Sequence, residues 1–387
     1  MQTATSTDVT VPSLRKRATI LGIALASVVS GAACKSESRP ASSTGTGAPA
    51  GSAGSAGSAA SSSGHAGHGH GDDAAPSVTP EAAQLPGALW FVGSRLARVT
   101  GGELAADFAD VGAPVYPSRW ALPDGRLVGI ASRGDGEPGS EQLVLIGPAS
   151  EVTRVGPSIT QVREPAVDPA GAWIVYEAKL EGHSELYRLD LATSKVMRLT
   201  TNPQGNFKPA VLGKDSIVFV SSRDGDSEIY RARVTGKDVR RLTAFHRDDW
   251  DPTPSPDGKT IAFVSDREGR PRIFLMDADG THQRRLTGRA EGVLDEVAPV
   301  WSPDGKRLAY LLEGPGHAQL WIREVAGTED RAMTPAGARD ADATFSPDGA
   351  WIAVARATKS EHTEIWALPV AGGQAVRVAD GRLPRWR

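Results

Sequence analysis

The chain has 387 residues, hydrophobic content of 40% and a formal net charge of −3. That length and apolar content suffice for a large buried core. The charge balance provides no basic excess to cover phosphates, which argues against a nucleic-acid partner.

Near the start, Arg15, Lys16 and Arg17 precede an apolar run over 18–30 and then small residues. This is the charged, apolar and small-residue order of an export signal, and the run is too short to span a bilayer comfortably. The only cysteine, Cys34, follows Gly31, Ala32 and Ala33. This stretch resembles the lipobox of bacterial lipoproteins, which implies acylation of Cys34; the departure is Gly31, where an aliphatic residue is usual. A lone cysteine forms no internal disulfide, and acylation would remove a free thiol from an oxidising compartment.

Residues 1–34 are therefore expected to be an export signal ending at the anchor, and the protein an outer-membrane lipoprotein on the periplasmic or cell-surface side. Residues 35–86 are Ser-, Gly- and Ala-rich, with too few large apolar groups to offset the entropy of ordering, and are expected to form a flexible tether. Within them, His65, His68 and His70 stand close to Asp72 and Asp73. A short His-rich tract of this kind can collect Zn, Cu or Ni, or it can be a linker with incidental histidines.

Residues 87–387 repeat. Ser255-Pro256-Asp257-Gly258 recurs at 302–305 and 346–349, with weaker copies at 122–125 and 168–171 and a degenerate one near Gly213. The spacing of roughly 40 to 47 residues is that of one propeller blade per repeat. In the full Ser-Pro-Asp-Gly copies proline fixes φ, aspartate bonds the following backbone, and glycine accepts the left-handed conformation of a tight hairpin.

A short apolar run follows each turn, such as Ile261 to Val264, and predicts a strand covered on both faces. A third strand follows in Glu185-Leu186-Tyr187, Glu228-Ile229-Tyr230 and Glu364-Ile365-Trp366, and a fourth in Arg198-Leu199-Thr200, Arg241-Leu242-Thr243 and Arg285-Leu286-Thr287. Four strands per unit without helical periodicity predict an all-β propeller.

The chain ends complete the count. Residues 88–105 supply second, third and fourth strands without a first, whereas Leu383-Pro384-Arg385-Trp386 supplies a first strand alone. Joined, they make a seventh blade, with the C-terminal strand pairing with the N-terminal blade and no edge left open; a six-bladed ring is the alternative.

The Ser-Pro-Asp-Gly turns, the Ser-Asp-Arg-Glu-Gly stretch at 265–269, the Asp-Ala-Asp-Gly turn at 277–280 and the Arg-Leu-Thr endings resemble the WD-like repeats of the TolB propeller family. That family pairs a six-bladed propeller with a small α/β domain in front, and here only the tether is expected there. The resemblance implies a cell-envelope setting. By itself a fold of this kind names no reaction.

Just before the first strands stand Glu164, Asp249, Trp250, Asp251, Glu296, Asp340 and Asp342, where the inner strands begin at the mouth of the central channel. These carboxylates predict a negative funnel able to attract a cationic segment or a hard cation such as Ca²⁺, with Trp250 as a contact; a solvated acidic rim is the alternative. His183, His246, His317 and His362 are expected at loop tips on the same face. Histidines converging on the channel would resemble oligogalacturonate lyases of the same repeat type, but loop tips predict exposed surface histidines instead.

The sequence carries no Gly-x-Ser-x-Gly elbow and no phosphate-binding loop between strand and helix. The leading expectation is a monomeric, non-catalytic, lipid-anchored module that recruits a peptide, protein or glycan of the envelope. A propeller-type polysaccharide lyase or hydrolase, and metal capture by the His-rich tether, are the alternatives.

Overall fold

The computed structural model describes residues 78–386 apart from 94–95, 106–113, 133–138, 148–150, 160, 181, 289–293 and 360–361. The export signal, Cys34 and the His65, His68 and His70 tract lie outside the described residues.

Each blade is built around its most apolar segment, the second strand. In Thr260–Ser265, Ile261, Ala262, Phe263 and Val264 are all fully buried, because this strand carries neighbours on both edges and adjacent blades on both faces. Seven four-stranded antiparallel sheets result. Their innermost strands are Val115–Ala121, Arg163–Val167, Asn206–Leu212, Asp249–Pro254, Asp295–Trp301, Asp340–Phe345 and Arg382–Trp386, here numbered blades 1 to 7 in that order. Each inner strand contacts the next and the seventh contacts the first, so the ring is closed around a central channel.

The Pro-Asp-Gly turns join the first and second strands. Ser255 Oγ donates to Asp257 at 2.6 Å, Asp257 accepts the Lys259 backbone N–H at 3.1 Å, and Gly258 takes φ +68°. The hydroxyl bond holds the Asp257 carboxyl below its ordinary range. Neighbouring turns abut: a Cβ on Gly171 would stand 2.7 Å from the Pro123 ring of the preceding blade.

Blade 7 is assembled from both ends of the chain. Arg382–Trp386 pairs antiparallel with Ala88–Val92, with Leu89 opposite Trp386 and Trp90 opposite Arg385. Trp386 is 1% exposed and its indole N–H donates to the Pro86 carbonyl. The expected seventh blade and its closure are therefore present.

The segment before the propeller takes form earlier than its composition suggests. Residues Pro80–Gln84 make a short 3-10 turn, the Thr79 N–H donates to the Val378 carbonyl, and Ala82 and Leu85 are buried against blades 6 and 7. The stretch expected to be unstructured to Pro86 thus contributes core contacts from its last residues, because the apolar side chains of Ala82 and Leu85 pack in the cluster with Val376 and Val378.

Truncating Trp386 to Ala removes both a core ring and the indole bond across the seam. The loss expected in chemical denaturation is about 3–5 kcal/mol, and a loss below about 1 kcal/mol would show that the ring does not depend on this seam.

Candidate functional site

Every inner strand carries a register shift at the same place, such as between Trp250 and Thr253 or Val297 and Val300. In six blades the displaced residue is in the left-handed region: Glu164, Lys208, Asp251, Ala298, Asp342 and Leu383, with φ between 45° and 55°. In five of them proline follows, and it provides no N–H for the interrupted ladder. Bulges of this kind re-aim a side chain, and a repeated left-handed residue other than glycine marks a position where that re-aiming is held by its surroundings.

Re-aimed side chains from blades 2, 3, 4 and 6 meet at the mouth of the channel, where Arg119 of blade 1 and Arg385, paired just outside the bulge of blade 7, join them. Lys208 forms an ion pair with Asp251 of the next blade, and Arg385 lies 3.8 Å from Asp342 of the preceding one. The Lys208 ammonium also feels Glu164 and Arg119, as does the Arg385 guanidinium, although these residues belong to four different blades. Around the axis the charges run Arg119 plus, Glu164 minus, Lys208 plus, Asp251 minus, Ala298 neutral, Asp342 minus and Arg385 plus. Three cations and three carboxylates balance.

Burial opposes charge on Lys208, but the carboxylates of Asp251 and Glu164 outweigh it and hold the ammonium above its ordinary range. Burial wins for Arg385, which is 8% exposed and is pulled below the usual guanidinium range despite Asp342. Behind the ring, burial pushes the Glu177 carboxyl up, against the bonds it accepts from Ser184 and the Lys208 backbone N–H. Glu164 adds to that push by repulsion.

The seven rim residues read from the sequence divide into two groups. Glu164, Asp251 and Asp342 reach the channel, and Trp250 is half-buried beside them. Asp249, Glu296 and Asp340 are instead buried, at 0%, 1% and 3% exposure, and act as latches within and between blades. Asp249 accepts from Arg267 at 3.1 and 2.9 Å, and Asp340 accepts from Arg356 at 2.7 Å. Glu296 accepts the Ile273 N–H and the Thr287 hydroxyl of the preceding blade.

The Arg-Leu-Thr endings belong to the same latches. In blade 3, Glu228 accepts from Thr243 Oγ1, Arg241 and the Phe245 N–H, and burial together with nearby Asp249 pushes its carboxyl up. Glu185 plays this part in blade 2, receiving Thr200, Arg198 and, from the next blade, Asn206 at 2.8 Å. Blade 4 has Arg272 at the matching position, and Glu296 of blade 5 supplies the missing carboxylate.

Three channel residues, Arg119, Lys208 and Arg385, were absent from the acidic pattern. The signal that finds Lys208 is its place before an inner-strand proline, shared with Glu164 and Asp251. The histidines remain apart: His183 lies 3.5 Å from Glu185, His317 faces the Pro315 carbonyl, and His246 is exposed. Among the described residues no group of three His, Cys, Asp or Glu side chains is arranged to hold a metal ion.

Residues 212–295, about two blades, match the model of the TolB beta propeller domain. The chain is thus a seven-bladed propeller that is TolB-like in sequence over those two blades. Among solved structures it is similar to TolB from Acinetobacter baumannii, with 22% identity, 71% of this chain and 68% of that chain covered, and a TM-score of 0.55. It is also similar to an oligogalacturonate lyase in complex with manganese, with 14% identity, coverage of 74% and 82%, and a TM-score of 0.55. A Mycobacterium tuberculosis puromycin-hydrolyzing peptidase shares 13% identity, with a TM-score of 0.58 over 77% of this chain and 54% of that one. At these identities the likeness is one of fold. No curated protein matches the chain.

Because burial favours the neutral form of Glu177 in the folded chain, folding stability falls as pH rises from the ordinary glutamate value of 4.5 through the raised one. Glu177→Gln is therefore expected to be more stable than the parent at pH 7, with the gap closing below about pH 4.5. Denaturant melts across that range check it, and a parent more stable than E177Q at neutral pH would reverse the assignment.

Proposed function

We propose that this chain is an exported, lipid-anchored and non-catalytic recognition module of the cell envelope, whose channel mouth engages a charged segment of an envelope peptide or protein. The observation that carries the reading is the ring of Arg119, Glu164, Lys208, Asp251, Asp342 and Arg385, four of which (Glu164, Lys208, Asp251 and Asp342) are held in left-handed backbone at the bulges of the inner strands. Such strain persists where the surroundings over-determine it and is concentrated at sites of function.

The alternation of charge sets the kind of partner. A single-sign funnel would concentrate any counter-ion, whereas a balanced ring discriminates by register, since an incoming carboxylate must meet Lys208 or Arg385 and an incoming ammonium must meet Glu164, Asp251 or Asp342. The TolB-like repeats support an envelope setting, and the N-terminal charged and apolar run with Cys34 supports export and acylation. With its acylated N-terminus in the membrane and the Ser/Gly/Ala-rich stretch as a spacer, the propeller would present its channel mouth to partners within reach of the bilayer.

The test compares the tagged full chain with a Glu164→Gln, Asp251→Asn, Asp342→Asn variant as baits in envelope extract. These three are chosen because Asp249, Glu296 and Asp340 are internal latches whose loss would damage the fold. A partner retained by the parent at low salt and weakened at least about tenfold by the variant is the expected result. Identical capture by both baits would dismiss the channel mouth as the recognition site.

A further inference from the structure

On the face that carries the channel mouth, but away from the axis, a cavity of about 300 Å³ opens beside blade 6. One wall is the connection from blade 5, 335–339, and the other is the end of the second strand and the loop after it, 356–359. The pairing of Asp340 with Arg356 puts both walls at the same end of the sheet.

Its lining is one-signed. Arg339, Arg356 and Lys359 face it, and no carboxylate residue is among those that line it. Arg356 is held at its inner side by Asp340 and lies over the Trp366 ring at 5.4 Å, while its Nη2 is buried without a hydrogen-bond partner. Arg339 and Lys359 are exposed, and neither side chain has an ion-pair partner among the described residues.

Apart from Thr358, whose hydroxyl donates to the His362 carbonyl at 3.1 Å, the remaining lining is apolar. Pro335, Ala336, Ala338 and Ala357 supply small hydrophobic walls. The Ala338 carbonyl accepts the Ala318 N–H at 2.8 Å, the Arg339 carbonyl accepts the Ala357 N–H at 2.9 Å, and Gly337 takes φ +79° at the bend. The connection is thereby fixed against two strands, and Arg356 is fixed by Asp340, so a ligand would find that wall and that guanidinium already in place.

We propose that this cavity is a binding site, separate from the channel mouth, for a small organic anion of the di- or tricarboxylate class. Guanidinium groups match planar carboxylates through paired hydrogen bonds, and the Lys359 ammonium adds a mobile third cation. The alanine and proline walls favour an anion with a short aliphatic body over a bare inorganic ion, and the volume lies at the small end of ligand pockets.

Titration calorimetry on the full chain tests the site with citrate as probe, inorganic phosphate as the comparison anion, and Arg339→Ala, Lys359→Ala and Lys259→Ala as variants. Lys259 lies on an exposed turn at the opposite face, so its loss removes a charge without touching the cavity. The expected result is one citrate per chain, weakened at least about tenfold by R339A and by K359A, unchanged by K259A, and weakened as ionic strength rises. Phosphate binding as tightly as citrate would overturn the organic-anion class. Absence of citrate binding, or binding unchanged in R339A and K359A, would overturn the site.

Discussion

Seven twisted sheets remain a ring only if the first and last blades meet, and here that junction is an antiparallel pairing between residues almost 300 positions apart, Leu89 with Trp386. The energetic weight rests on Trp386, buried to 1% among Leu89, Phe91, Val378 and Ala379. The adjoining residue of the same strand, Arg385, belongs to the channel ring and faces Asp342. Closing the fold and completing the site are thus one event. Until the C-terminal strand docks, the channel lacks one of its three cations and Asp342 lacks its counter-charge.

The rest of the ring is held by groups that cost free energy to bury unless they are fully partnered. Glu185 and Glu228 at the starts of third strands each receive an arginine, a threonine hydroxyl and a backbone N–H. This explains why Arg-Leu-Thr recurs in the chain: the leucine fills the core while the residues beside it satisfy a carboxylate. Blade 4 shows that the requirement is for the carboxylate and not for its place in the sequence. With Arg272 at the usual glutamate position, Glu296 reaches back from the neighbouring blade to take the same bonds. Such sharing ties each blade to the next by polar contacts as well as by apolar packing.

The blade count and strand order were legible because their signals are local and repeated: Ser-Pro-Asp-Gly turns, apolar second strands and Arg-Leu-Thr endings each lie within a few residues. The channel was legible only in part. Asp249 and Asp251 stand two apart, as do Asp340 and Asp342, and in a regular strand residues so spaced share a face. The bulge breaks that rule, so the first of each pair is buried on an arginine while the second turns into the channel. Counting carboxylates near strand starts therefore merged two populations. Arg119 and Arg385 escaped for the complementary reason: they sit in blades without an acidic residue at the bulge, and only the closed ring brings them to Glu164 and Asp342.

A balanced ring acts differently from the negative funnel that those carboxylates alone would make. Its field cancels within a few ångströms, so it would steer little at distance and act on a partner only at contact. Lys208 and Asp251 are paired in the free protein, each about three-quarters buried, and a partner that engages either must replace the bond it disrupts. That requirement penalises a ligand of one sign: an ammonium drawn to Asp251 leaves Lys208 uncompensated beside Arg119, while a carboxylate drawn to Lys208 leaves Asp251 unpaired. A segment that carries both signs at the spacing of neighbouring blades exchanges the pair without leaving either charge alone. If the channel mouth is the recognition site proposed above, its selectivity follows from the order of charges around the ring, which the seven bulged strands hold fixed.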